Sequence, residues 1–265
     1  MLLETGGLLL LGLTAGVLGG YLGIGGALII TPILLPLSAA HGIPEEVRYP
    51  LVFSTTLFAI LGTSISAGTA YARAKRVHWG GFKAIAATAL LFSMLGSYIA
   101  TLSSPNVLRI FFAIFALASA AMFVSPLKTY NGGEFHFRAW PFALLGCFTG
   151  FISAYIGVAG GVVMVPVMML LIKLPAELTV GTSSMVGIVT AGAGVLGYVI
   201  SGWNVPELPA WTLGYVHLGF AIPIAVGTLI GGPLGCRINR GGNVRVFRIL
   251  FALYLVFVAV RMLLR

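Results

Sequence analysis

Eight apolar runs, at approximately 7–37, 50–72, 80–102, 106–125, 139–173, 179–201, 211–236 and 244–264, fill nearly the whole chain. Each is long enough to cross the roughly 30 Å hydrocarbon core of a bilayer, which takes about 20 helical residues. Inside that core every backbone polar group needs an internal partner, so apolar runs of this length must be helices. Only 8% of the residues are charged, whereas a soluble domain carries about a quarter, too few here to cover a water-facing surface. The sequence predicts an all-α polytopic membrane protein. Its first and fifth runs exceed one simple span, and both are interrupted by glycines near their middle.

Those two runs are copies. Sliding the chain on itself by 134 positions places Gly12, Gly16, Tyr21, Gly23, Gly26 and Pro32 on Gly146, Gly150, Tyr155, Gly157, Gly160 and Pro166. Further on, Thr55, Thr63 and Tyr71 fall on Thr182, Thr190 and Tyr198, and Val77-His78 falls on Val216-His217. Arg109, Phe111, Phe115 and Ala116 fall on Arg245, Phe247, Phe251 and Ala252. The register drifts by a few residues between blocks, as loop insertions cause. The chain therefore reads as two membrane repeats, residues 1–127 and 139–265, joined by a polar linker at 128–138.

Charge decides how the halves are oriented. If each run crossed once, eight basic residues would share one side and seven the other, with no bias. If the first and fifth runs return to the side they entered from, eleven basic residues gather on one side: Arg73, Lys75, Arg76, Lys83, Lys128, Arg138, Lys173, Arg237, Arg240, Arg245 and Arg248. The other side keeps four, Arg48, Arg109, Arg261 and Arg265. Eleven against four obeys the positive-inside rule. The expected fold is two four-segment inverted repeats, each with a glycine-broken first segment, the linker cytoplasmic and both termini outside. The same parity follows whether each broken segment is a re-entrant hairpin or crosses twice.

Chemistry is constrained by what the interior lacks. All six acidic residues are glutamates (Glu4, Glu45, Glu46, Glu134, Glu177 and Glu207), and every one lies outside the apolar runs. Cation sites and carboxylate proton relays place Asp or Glu within the bundle, so the sequence favours an anion as cargo. The net charge of +9 reads as loops on one side of a membrane rather than a nucleic-acid surface. Cys147 and Cys236 have no metal-like spacing and read as buried small hydrophobes; no metal or cofactor is implied. Glu4 without a basic n-region does not read as a cleaved signal peptide.

Candidate site residues follow from the breaks. Gly23, Gly25 and Gly26, and Gly157, Gly160 and Gly161, make continued helix costly at about 1 kcal/mol per glycine relative to Ala. A half-helix beginning at Ala27 or Gly161 would present free backbone N–H groups and the positive end of its dipole at the break. Unwound backbone at membrane depth is tolerated only where protein buries it or it lines a cavity. Close helix packing through small residues is the alternative use of these glycines. Thr182, Ser183 and Ser184, with Ser54, Thr55 and Thr56 opposite, supply neutral donors in the following segment, or else bond back to their own helix. Tyr21 and Tyr155 precede the breaks and either close the pocket or pack. His41, His78, His136 and His217 lie at segment ends and read as interfacial anchors, with proton coupling the alternative. Arg109 and Arg245 stand at matched segment starts, where snorkelling is the default.

The duplicated segments Gly16-Val-Leu-Gly-Gly-Tyr-Leu-Gly-Ile-Gly-Gly and Gly150-Phe-Ile-Ser-Ala-Tyr-Ile-Gly-Val-Ala-Gly-Gly, each leading into an apolar run and a proline, resemble the TauE/SafE family. So does Gly181-Thr-Ser-Ser-Met after Pro175-Ala-Glu. The first half departs from the pattern, with Phe53-Ser-Thr-Thr where the family more often has a small residue, Thr and Ser. The resemblance covers essentially the whole chain. It implies a bacterial or archaeal cell-membrane permease of sulfite, a sulfonate or another organosulfur anion; the two breaks of inverted halves would meet near the midplane as an anion site, and the chain reads as a carrier working by alternating access between its halves. A passive anion channel is the nearest alternative; an intramembrane enzyme lacks any HExxH or GxSxG context, and a scaffold would bind no specific ligand. Exposed apolar faces are normal in lipid, so a homodimer and a monomer both stay open.

Overall fold

The computed structural model describes residues 2–23, 25–124, 138–158, 160–238 and 244–264. The expected linker at 128–138 lies, except for Arg138, outside the described residues. The described chain forms α1 (Leu2–Leu22), α2 (Ala27–Ala40), α3 (Glu45–Arg73), α4 (Trp79–Leu102), α5 (Pro105–Val124), α6 (Ala139–Tyr155), α7 (Gly161–Leu170), α8 (Ala176–Ser201), α9 (Leu218–Ile238) and α10 (Val244–Leu263). A two-residue hairpin, β1 (Thr212–Leu213) and β2 (Val216–His217), precedes α9. Each over-long apolar run is thus two helices, and the second of each pair starts at Ala27 or Gly161, where the glycines place it.

Among the described residues, α1, α3, α4, α5, α8 and α9 are long and apolar enough to cross a membrane. The partners across the breaks are shorter: α2 has 14 residues and α7 has 10, roughly 21 and 15 Å at 1.5 Å per residue. The long helices start and stop for local reasons. α3 follows Pro44 with Glu45 and Glu46 in its first turn, and α8 follows Pro175 with Glu177, carboxylates that complement the positive helix end. α3 stops where Lys75 takes a left-handed φ of 59° and the Arg76 N–H returns 2.9 Å to the Tyr71 carbonyl, a Schellman-type closure. The seventh run was expected to be helical from about 211. Instead Trp211 and Gly214 have φ of 66° and 54°, left-handed values that delay α9 to Leu218 and turn the hairpin.

The packing is a set of matched pairs. α3 lies against α8 at the centre; α9 packs on α3 as α4 packs on α8; α1 packs on α9 as α6 packs on α4. α2 rests on α3 as α7 rests on α8, and α5 pairs with α10. Exchanging each helix with the one five places away reproduces each of these pairings. α1 therefore meets a helix from the other half of the chain, and so does α6.

Glycine makes these cross-half contacts possible. A Cβ at Gly16 would stand 2.7 Å from Thr228 Cα, and one at Gly150 would stand 2.7 Å from Ala89 Cα. Gly12 meets the Ile224 carbonyl as Gly146 meets that of Ile85. Backbones brought this close gain dispersion contact that a larger side chain would forfeit. Hydroxyls reinforce the seams: Thr228 donates to the Ala59 carbonyl (2.6 Å), Ser93 to that of Gly150 (3.0 Å) and Thr88 to that of Ala143 (2.8 Å). The outward faces carry exposed apolar side chains, among them Leu91 of α4, Ile114 of α5, Leu229 of α9 and Leu253 of α10, as a surface facing lipid would.

Candidate functional site at the glycine breaks

The first break is a reversal. Gly23, Gly25 and Gly26 have φ of 73°, 78° and 81°, a left-handed run that residues with a Cβ rarely enter. The Gly26 carbonyl accepts the N–H groups of Ile29 and Ile30 and opens α2. α2 then runs back along α1: Gly26 sits on the Ala15 carbonyl, and His41 Nε2 meets Glu4 Oε1 at 2.9 Å where the two helices end and begin. The second break is tighter. Gly157 has φ of 66° and lies on Phe53 of α3, whereas Gly160 is right-handed and lies on Thr149 of α6.

The breaks meet at a cavity of about 10 Å³, close to the space one water needs. Gly23 and Gly25 line it from the first half. Gly161, first residue of α7, lines it from the second, which puts the positive end of that helix there. Thr63 and Ser64 of α3 and Ser183 and Ser184 of α8 complete the polar wall. Ser183 Oγ donates to the Gly23 carbonyl at 3.2 Å, and Ser184 Oγ to that of Val180 at 2.9 Å. Thr63 Oγ1 is shut from solvent with no hydrogen-bond partner. Buried hydroxyls are normally paired, which sets this one apart in the cavity wall. No carboxylate lines the cavity.

Of the residues expected from the sequence, Gly23, Gly25, Gly161, Ser183 and Ser184 are brought together here, while Gly26, Gly157 and Gly160 shape the breaks behind them. The others are placed elsewhere. Thr55 Oγ1 accepts the His217 N–H at 3.0 Å, and Thr182 Oγ1 accepts the His78 N–H at 2.9 Å. Thr56 accepts from Thr31 at 3.2 Å, and Ser54 donates to the Tyr215 carbonyl at 2.7 Å. Tyr155 shares a hydrogen bond with Ser103 (3.1 Å) and packs on Phe111 and Phe151; Tyr21 is buried in the core. Thr55 and Thr182 thus each clasp the start of a helix from the opposite half.

His78 and His217 complete that clasp. His78 Nδ1 accepts the Gly81 N–H at 2.9 Å, and His217 Nδ1 accepts that of Phe220 at 3.2 Å, so each caps the helix that follows. Accepting requires a neutral ring nitrogen. Burial lowers both imidazoles below their usual value and keeps them neutral.

Thr63, Tyr71 and Tyr198 are among the contributors, with Ser64, that the sequence reading did not place in the site. The Tyr71 hydroxyl donates to the Gly20 carbonyl (3.3 Å), and that of Tyr198 to the Ala154 carbonyl (2.8 Å). These are among the last carbonyls before each break, which have no partner within their own helix. The signal was their match through the repeat, Thr63 on Thr190 and Tyr71 on Tyr198.

Known proteins of similar sequence agree with a membrane role. The chain is 28% identical over 246 residues to a probable membrane transporter protein of Methanocaldococcus jannaschii, covering 92% of this chain and 90% of that one. It is 26% identical over 281 residues to the probable membrane transporter protein YunE of Bacillus subtilis, covering 97% and 96%. A probable membrane transporter protein of Haemophilus influenzae is 26% identical over 258 residues, covering 97% of each. No solved structure matches. The family model described as sulfite exporter TauE/SafE matches residues 8–262. With six helices among the described residues fit to cross a bilayer, this chain is a multi-pass membrane protein that belongs to the TauE/SafE family of transporters.

Proposed function

We propose that the chain is a secondary carrier of a small anion, with sulfite, a sulfonate or another organosulfur anion as its substrate. The observation that carries this reading is the cavity shared by both glycine breaks. Its lining offers neutral donors, an unpaired Thr63 hydroxyl and one helix N-terminus, without any carboxylate. Neutral donors suit a substrate that must also leave. The family's description as sulfite exporters supports a sulfur oxyanion as the substrate.

The halves, residues 1–127 and 139–265, act as inverted repeats in a prokaryotic cell membrane, the two broken segments as re-entrant hairpins. The meeting of Glu4 with His41 supports hairpins, the exchangeable helix pairings support a two-fold relation, and the eleven-to-four division of basic residues supports inversion. A cavity of about 10 Å³ is too small for a sulfur oxyanion, so it corresponds to a closed arrangement. Substrate entry requires the hairpins to part from α3 and α8, which favours a carrier over a permanently open channel.

Proteoliposomes holding the purified chain should accumulate radiolabelled sulfite with a rate that saturates. Uptake no faster than in empty liposomes, for sulfite and for small sulfonates alike, would overturn the reading.

A further inference from the structure

Three arginines far apart in the sequence, Arg48, Arg109 and Arg261, line one cavity of about 240 Å³ between α2, α3 and the α5–α10 pair. Arg48 lies near the start of α3, Arg109 near the start of α5 and Arg261 in the last turn of α10. Arg48 turns Nε and Nη2 onto the Ile43 carbonyl, at 3.1 and 2.6 Å. Arg109 Nε is shut from solvent and has no hydrogen-bond partner, an arrangement that is costly unless a ligand completes it. Glu45 is the one carboxylate in the lining, and among the described residues none of the three guanidiniums is ion-paired. The remaining wall is largely apolar, with Ile33 and Pro36 of α2 and Phe257 of α10. No residue of this cavity belongs to the one at the glycine breaks.

We propose that this cavity binds an organic oxyanion. Guanidinium forks match the oxygens of sulfonates and phosphate esters and hold them through charge-assisted hydrogen bonds. The head group sits among Arg48, Arg109 and Arg261, and the organic part lies on Ile33 and Phe257. The occupant is either a free sulfonate or the head group of an anionic lipid, since both present the same chemistry.

Thermal stabilisation of the purified chain tests this, with propanesulfonate in a neutral detergent and, in parallel, in phosphatidylcholine nanodiscs with and without phosphatidylglycerol. Thr63→Val removes a donor from the central cavity; Arg73→Gln, in a separate cavity with Arg76 and Arg237, controls for net charge. The site predicts that propanesulfonate stabilises the wild type, Thr63→Val and Arg73→Gln. Its half-saturating concentration should rise at least about ten-fold in Arg109→Gln, with Arg109→Lys between. Arg261→Gln alters an exposed residue, so it repeats the test without disturbing the core. Stabilisation by phosphatidylglycerol that Arg109→Gln abolishes, with none from propanesulfonate, assigns the cavity to a lipid head group. A response lost in Thr63→Val and intact in both arginine variants overturns this site while sparing the central one. A response unchanged in every variant, or no response to either probe, overturns it as well.

Discussion

Ser183 on α8 donates its hydroxyl proton to the carbonyl of Gly23, 160 residues earlier, at 3.2 Å. That bond ties the unwound end of α1 to the helix that carries the second-half hydroxyls. It closes the central cavity with a group that could equally serve a substrate. On the proposed mechanism, opening the cavity exchanges this bond for one to the anion. Ser183→Ala should therefore leave the fold intact, with a cost of about 1 kcal/mol for one lost hydrogen bond, and slow sulfite transport far more than it lowers Tm. Equal loss of both would reduce Ser183 to a packing residue.

Thr63 gives a sharper separation. Its buried hydroxyl has no partner, and replacing such a group by an apolar one of the same shape is nearly neutral or stabilising. Thr63→Val should keep or raise Tm yet weaken sulfite transport at least about ten-fold. Unchanged transport in a stable variant would remove Thr63 from the site.

The two tyrosine clasps differ in strength. Tyr198 is fully buried and its bond to Ala154 is 2.8 Å, whereas that of Tyr71 to Gly20 is 3.3 Å. Each carbonyl keeps a weaker donor, Ala154 the Gly157 N–H at 3.4 Å and Gly20 the Cys236 Sγ at 3.7 Å, so losing the hydroxyl costs about 1 kcal/mol. Tyr198→Phe should lower Tm by several degrees and Tyr71→Phe by less, read by thermal unfolding in detergent. The reverse order would contradict the geometry.

Histidine caps predict a pH dependence. Burial lowers His78 and His217 in the folded chain, with His41 lowering His217 further while the His217 backbone and Glu4 oppose it. Above the unfolded value of about 6.5 both states are neutral and the caps contribute fully. As pH falls below it, the unfolded chain takes up protons first, so stability declines until the folded imidazoles protonate and the caps are lost. An N-cap contributes about 1 kcal/mol. Asparagine caps without titrating, so a His78→Asn, His217→Asn double variant should show a flatter Tm between pH 7 and 5. An unchanged slope would assign the dependence to other groups.

Much of the fold was legible because its causes are local. Three glycines in four residues (Gly23, Gly25, Gly26) and three in five (Gly157, Gly160, Gly161) make continued helix costly, so the starts at Ala27 and Gly161 followed from the sequence, as did the placing of carboxylates at helix starts. The partners of the hydroxyls were not legible. Thr55 and Thr182 look like free donors along the chain, but each meets a backbone N–H from the opposite half, a pairing fixed only when α3 packs on α9 and α8 on α4. Thr63 carried no special sign beyond its match to Thr190. The charge count put Arg48, Arg109 and Arg261 on one side, yet only the packing of α2, α3, α5 and α10 brings them to one cavity.

The central claim is that a small anion is carried through the cavity between the glycine breaks. Counterflow tests it most directly: radiolabelled sulfite entering proteoliposomes preloaded with unlabelled sulfite, for the wild type and Thr63→Val. The account predicts that preloading accelerates entry in the wild type and that Thr63→Val suppresses this exchange. Entry that ignores the preloaded anion and rises without saturation would contradict it.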